Sequence, residues 1–164
     1  MSMSDLTLNS IERFVGQELG VSRWVTIDQP CIAEFAHCTG DDQWIHVDVK
    51  RAARESPYRS TIAHGYLTLA IVGPAALEVW IRPAGIGTAL NYGIDRVRFV
   101  APVSAGSRVR VRIKLLAVET KATGKQLITT ENTVEIEGAD KPALIANTLV
   151  MAVFGEGSSA SAGA

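Results

Sequence analysis

Residues 62–81 read IAHGYLTLAIVGPAALEVWI, and from Leu67 to Ile81 apolar side chains fall on nearly every face of a helix. A helix apolar all round is buried all round. The segment therefore predicts a central helix with the rest of the chain wrapped about it. Gly73-Pro74 lies inside it, and proline removes one helical hydrogen bond while its ring crowds the preceding turn. A kink or a break into two pieces is expected there, and Pro83 and Gly85 end the segment.

Downstream, from Thr88, the hydrophobic period changes to two. Tyr92 and Ile94 share one face whereas Val97 and Phe99 share the other, a slip around Asp95-Arg96 that predicts a β-bulge. Val109, Val111, Ile113 and Leu115 alternate with Arg108, Arg110, Arg112 and Lys114, a strand with one wet face. Those four basic residues are read as that wet face, with a phosphate site as the alternative. A Thr123-Gly124 turn leads to a strand through Ile128, Thr130, Asn132, Val134 and Ile136, and 143–154 is apolar on both faces, as in a central strand.

Upstream, Val21 to Ile27 reads as a strand, and Asp28 caps a helix with Ile32, Phe35 and Ala36 on its apolar face and Gly40 as its stop. Asp41 to His46 is then a loop. Asp48 caps a short helix over Val49 to Glu55, closed by Ser56 and Pro57. Strand, helices, then four hairpin-connected strands give an α+β fold, one antiparallel sheet around a buried helix. Such a sheet has free edges, which pairing between two copies would cover.

A length of 164 residues is one domain's worth, assigned to 1–154, with the small, polar tail at 155–164 expected to be disordered. With 16 basic against 17 acidic residues and a net charge of -1, the composition argues against nucleic acid as a partner. No run approaches a membrane span or a signal peptide, so a soluble, cytoplasmic protein is expected. Cys31 and Cys38 lie about 10 Å apart along one helix, too far for an unstrained disulfide, and are read as reduced, partly buried thiols.

The chemistry concentrates in CTGDDQWIHVD, residues 38–48. A carboxylate and an imidazole five residues apart in a tight loop, Asp41 and His46, converge as a general acid–base pair able to hold water and move protons near neutrality. The alternative reading has Asp41 bonded to local amides and His46 as a satisfied core histidine. Gly65 opens the central helix, where backbone N–H groups lack intrahelical partners and favour negative charge. Its amide suits an oxyanion hole, or else the glycine serves close helix packing. Acid–base pair and oxyanion donor together equip a site to add water to, or remove it from, a double bond conjugated to a carbonyl.

FAHCTGDDQWIHVDVKRAA, then STIAHGYLTL, then NYGIDRVRFVAPVSAGSRVRV, in that order, resemble the MaoC-like dehydratases. This hotdog-fold group includes (R)-specific enoyl-CoA hydratases and the nodulation-protein-N-like proteins. The resemblance runs from about residue 10 to about residue 154. It implies a hotdog fold with the helix from Gly65 at its centre, and a homodimer or higher homo-oligomer with the active site near the subunit interface. It also implies metal-free, reversible hydration of trans-2-enoyl-CoA to (R)-3-hydroxyacyl-CoA, with coenzyme A entering as part of the substrate and no cofactor. The catalytic pair falls on Asp41 and His46, and the amide that binds the thioester oxygen falls on Gly65. Gln43-Trp44 replaces the Asn-Pro of many hydratases, and Gly73 stands where some carry a supporting serine.

Trp44, Asn91 and Tyr92 are read as candidates to line the acyl pocket, with packing as the alternative; Gln43, able to hydrogen-bond within its loop, bears on the substrate, and Arg96 and Arg98 are candidates for the coenzyme A phosphates. Asp42 and His37 are read as exposed, and the His64 side chain as structural. The rivals are a hotdog acyl-CoA thioesterase and a non-catalytic acyl-CoA-binding or partner subunit. A metal site from His37, His46 and His64 matches no common ligand spacing.

Overall fold

The computed structural model describes residues 6, 7 and 9–153, so the 155–164 tail lies outside the described residues. One antiparallel sheet holds six strands: β1 (Glu18–Val21), β2 (Val25–Ile27), β3 (Thr88–Phe99), β4 (Ser107–Ala122), β5 (Lys125–Ile136) and β6 (Leu144–Val153). Their order is β1-β4-β5-β6-β3, with β2 also paired to β4. The expected single strand over 21–27 is thus two short ones. Ser22 still bonds the ladder through Val111, but the Arg23 amide is captured by the Glu78 carboxylate at 2.9 Å, which pulls the chain out of register.

Helix α1 (Gln29–Thr39) begins where the Asp28 carboxylate accepts from the Cys31 amide at 3.0 Å and ends at Gly40 in the left-handed region, φ 79°. A single turn, α2 (Trp44–Val47), follows, and α3 (Val49–Glu55) is capped by Asp48 at 2.9 Å from the Arg51 amide. Both cysteines are free; Cys31 is half-buried but Cys38 is exposed, where partial burial was expected of both. No helix among the described residues is long and apolar enough to cross a membrane.

The central helix is broken, as Gly73-Pro74 predicts. It comprises α4 (Gly65–Ala70), α5 (Val72–Ala76) and a π-helical turn over Leu77–Ile81. Pro74 has no N–H to return to the Ala70 carbonyl four residues earlier, and α4 ends at Ala70. Leu67, Val72, Ala75, Ala76, Trp80 and Ile81 pack into one core with Val111, Ile113 and Leu115 of β4 and Leu144, Ala146 and Val150 of β6.

Burial all round is not what one chain provides. Tyr66 is 70% exposed and Ala70 and Leu77 are also open, because the sheet covers one side of the helix and nothing among the described residues covers the other. Tyr66 meets Phe99 edge to face at 6.1 Å, and Phe99 continues into the exposed Leu90, Tyr92 and Ile94 of edge strand β3. The predicted slip in β3 is present: pairing to β6 is irregular between Asp95 and Arg98, where Arg96 adopts φ 55°.

The basic residues of β4 form the wet face. Arg108 pairs with Glu137 at 2.8 Å, Arg110 with Glu135 at 2.6 Å, and Arg112 with both Glu135 and Glu18 at 2.8 Å. Burial pushes the Glu135 carboxyl up, but hydrogen bonds from Arg112 and Arg110 outweigh it and hold the group below its ordinary value. Three of the four cations are thereby paired with carboxylates on β1, on β5 and just beyond β5, as befits a wet face.

Candidate active site

Gly40 turns the chain out of α1 and releases Asp41, whose side chain is exposed; its amide reaches only the Thr39 hydroxyl, at 3.4 Å. His46 sits on the single turn of α2 rather than in the expected loop, because the Gln43 carbonyl accepts from the His46 and Val47 amides and closes a turn. That turn buries His46 to 6% exposure. Gln29 secures it: its side-chain amide donates to the His46 carbonyl at 2.8 Å, while its oxygen accepts from Thr61 Oγ1. His46 Nδ1 lies 2.7 Å from the Ile62 carbonyl oxygen. A carbonyl only accepts, so Nδ1 carries the hydrogen and Nε2 keeps the lone pair of a base.

Beside it lies His64, only 2% exposed. Its Nε2–H donates to the Asp41 carbonyl at 2.8 Å, its ring stacks on His46 at 3.8 Å and 26°, and Phe35 lies 5.0 Å away. Asp41, His46 and His64 each place a carboxylate oxygen or ring nitrogen within 4.8 Å of the others. The expected convergence of Asp41 and His46 is therefore present as geometry. The histidine set weighed for a metal is not assembled, because His37 is exposed and outside this cluster.

His46 and Gly65 share the wall of a cavity of about 240 Å³ with Ile62, Thr68, Phe99 and the 100–103 segment. Gly65 is the first residue of α4 and its amide makes no hydrogen bond among the described residues. A Cβ there would stand 3.0–3.2 Å from the Phe99 ring. The glycine thus lines the cavity and lies where a side chain would crowd Phe99. Farther along the helix, Tyr66, Ala70, Gly73 and Ala76 face Asn91, Ile94, Thr148 and Val150 across a second cavity of about 340 Å³. A third hollow, about 540 Å³ between the β1–β2 link and α5, has none of Asp41, His46 or Gly65 on its wall.

The remaining candidates scatter. Asn91 lines the second cavity, whereas Tyr92 lines neither and is 63% exposed. Gln43 makes no side-chain cap to α2, and half-buried Trp44 lies under the Arg51 guanidinium at 4.3 Å, away from both walls. Arg96 and Arg98 stand on the exposed edge strand without an acidic partner among the described residues; Arg98 donates to its neighbour's carbonyl at 2.8 Å. Phe99 and the packing of His64 against both members of the pair are absent from the sequence reading. Phe99 carries no signal beyond strand alternation, whereas His64 is marked by its place beside Gly65.

Comparison with known proteins agrees with this geometry. Residues 10–139 match the MaoC like domain. The chain is 44% identical over 152 residues to nodulation protein N of Rhizobium meliloti (strain 1021), covering 93% of this chain and 94% of that one. It is 47% identical over 135 residues to 3-hydroxyacyl-thioester dehydratase Z of Mycobacterium tuberculosis (strain ATCC 25618 / H37Rv), covering 82% and 88%. Among solved structures, the (R)-hydratase from A. caviae involved in PHA biosynthesis superimposes with a TM-score of 0.68 at 21% identity, covering 83% of this chain and 94% of that one, a likeness of fold. The chain belongs to the MaoC-like dehydratase family, hydro-lyases built on the hotdog fold.

Proposed function

We propose that the protein is an (R)-specific enoyl-CoA hydratase that adds water reversibly to trans-2-enoyl-CoA. The observation that carries this is one cavity lined by both His46 and Gly65, whose amide makes no hydrogen bond among the described residues, with the Asp41 carboxylate beside His46. Water held between Asp41 and His46 Nε2 is activated for attack on the β-carbon, and the proton it gives up is returned to the α-carbon. The Gly65 N–H polarises the thioester oxygen as charge develops on it. The dehydratase named among the relatives acts on 3-hydroxyacyl thioesters, the reverse direction of the same chemistry.

In this reading the acyl chain runs from Gly65 along the helix into the second cavity, which is within the size range of small-ligand pockets. A homodimer follows from the same surface, since Tyr66, Ile94 and Phe99 border the cavities and lie exposed in one chain. The decisive assay follows the conjugated enoyl-thioester absorbance with crotonyl-CoA and a medium-chain enoyl-CoA, with the configuration of the product determined. Loss of absorbance with formation of the (R)-3-hydroxy product supports the reading. Release of free coenzyme A thiol instead assigns a thioesterase, and no change with either substrate overturns the hydratase.

The acyl path has its own test. A side chain at Gly73 meets nothing within 4 Å of its Cβ and enters the second cavity. Gly73→Leu should leave crotonyl-CoA turnover within about threefold of normal and lower kcat/KM for a medium-chain substrate by about 10–100-fold, the worth of a few methylene contacts. Equal loss on both substrates would place the acyl chain elsewhere.

A further inference from the structure

We propose that His64 is a positioning residue that holds Asp41, His46 and Gly65 in a single arrangement; this rests on the assignment of those three groups to catalysis. Each is tethered to His64 by a separate contact. The Asp41 backbone has two hydrogen bonds among the described residues, the long one from its amide to Thr39 and the 2.8 Å bond that its carbonyl accepts from His64 Nε2–H. The second fixes where the exposed carboxylate emerges. His46 is held in its ring plane by the Ile62 carbonyl, and His64 lies against its face at 3.8 Å, closing the direction in which the ring would tilt. Gly65 follows His64 directly, and the His64 carbonyl accepts from the Thr68 amide at 3.1 Å and the Thr68 hydroxyl at 3.2 Å. That anchors the peptide plane carrying the Gly65 N–H.

A spacer between Phe35 and His46 needs no nitrogen. The ring instead buries a second nitrogen, Nδ1, that has no partner among the described residues, an arrangement costlier than a hydrocarbon ring of the same shape. What the imidazole adds over such a ring is the Nε2 donor to Asp41. Catalytic groups work only when held within fractions of an ångström, and misplacement by about 1 Å costs up to about 100-fold in rate. His64 touches neither cavity wall, so its effect passes through the groups it holds.

Three variants separate the donor from the ring. His64→Phe keeps the stack and removes the donor. His64→Gln places an amide N–H near the position of Nε2, while His64→Asn is too short to reach. With crotonyl-CoA, kcat should fall about 10–100-fold in the Phe and Asn variants, KM staying within about threefold, and the Gln variant should recover to within about fivefold of the parent. Amide hydrogen exchange at residues 41–46 is measured alongside and should quicken in the Phe and Asn variants but not in the Gln variant. His64→Phe with parental kcat and exchange, or a Gln variant no better than Asn in both, overturns the proposal. A parent protein with no hydratase activity overturns the proposed function alone; the exchange pattern then decides the role of His64.

Discussion

Asp41→Asn and His46→Gln should each lower kcat for enoyl-CoA hydration by about 10²–10⁴-fold, the range supplied by a positioned acid–base group. Asparagine keeps the size and the local hydrogen bonding of Asp41 but takes no proton, and the exposed position makes the change in stability small, about 0.5 kcal/mol or less. His46→Gln removes the lone pair at Nε2 and disturbs the bond to Ile62, a stability cost of about 1–2 kcal/mol, which a domain stable by about 5–15 kcal/mol tolerates. Both variants should melt cooperatively. Because the two groups act on one water, the double variant should be barely slower than the worse single one. Initial rates with crotonyl-CoA and thermal melts of all three provide the check. Near-parental rates in both single variants would remove the assignment, and losses that multiply would show that the groups act independently.

Gly65→Pro should cost about 10²–10³-fold in kcat, the loss typical of one oxyanion donor, whereas Gly65→Ala should cost much less. Proline deletes the amide hydrogen at a position where helices accept it, since no intrahelical bond is lost at the first residue. His64 already has φ -59° and ψ 140°, the extended backbone that a following proline requires. Alanine introduces the same Cβ, 3.0–3.2 Å from the Phe99 ring, but keeps the N–H. The pair therefore separates crowding from hydrogen bonding. Kinetics of both variants, with circular dichroism to confirm the helix, distinguish the two; equal losses would assign Gly65 to packing alone.

The parts of this molecule that were legible in the sequence are those with local physical causes. Asp28 and Asp48 capped the helices they precede, Gly40 ended α1, Pro74 broke the central helix, and the Asp95-Arg96 slip marked the bulge. Alternation along β4 identified its wet face, and the partners on β5 and β1 then supplied the carboxylates. What stayed hidden depends on contacts between distant segments. The division of the 21–27 strand follows from Glu78, 55 residues away, taking the Arg23 amide. The stacking of His64 on His46 joins the N-terminus of α4 to a turn 18 positions earlier, and no spacing rule announces it. The exposed side of the central helix was misread for another reason: an apolar pattern records that a surface is to be covered, not whether its cover comes from the same chain.

The irregular pairing of β3 bears on how the chain survives its own synthesis. A newly folded single copy displays a twelve-residue edge strand with exposed Leu90, Tyr92, Ile94 and Phe99, the kind of template on which foreign strands assemble into aggregates. The disruptions at Asn91–Gly93 and Asp95–Arg98, the second with Arg96 in a left-handed backbone, interrupt that edge. An incoming strand must reproduce both offsets to pair along its whole length, a condition that an arbitrary unfolded segment fails. The same kinks that shape the sheet are of the kind that blunt an open edge against indiscriminate pairing.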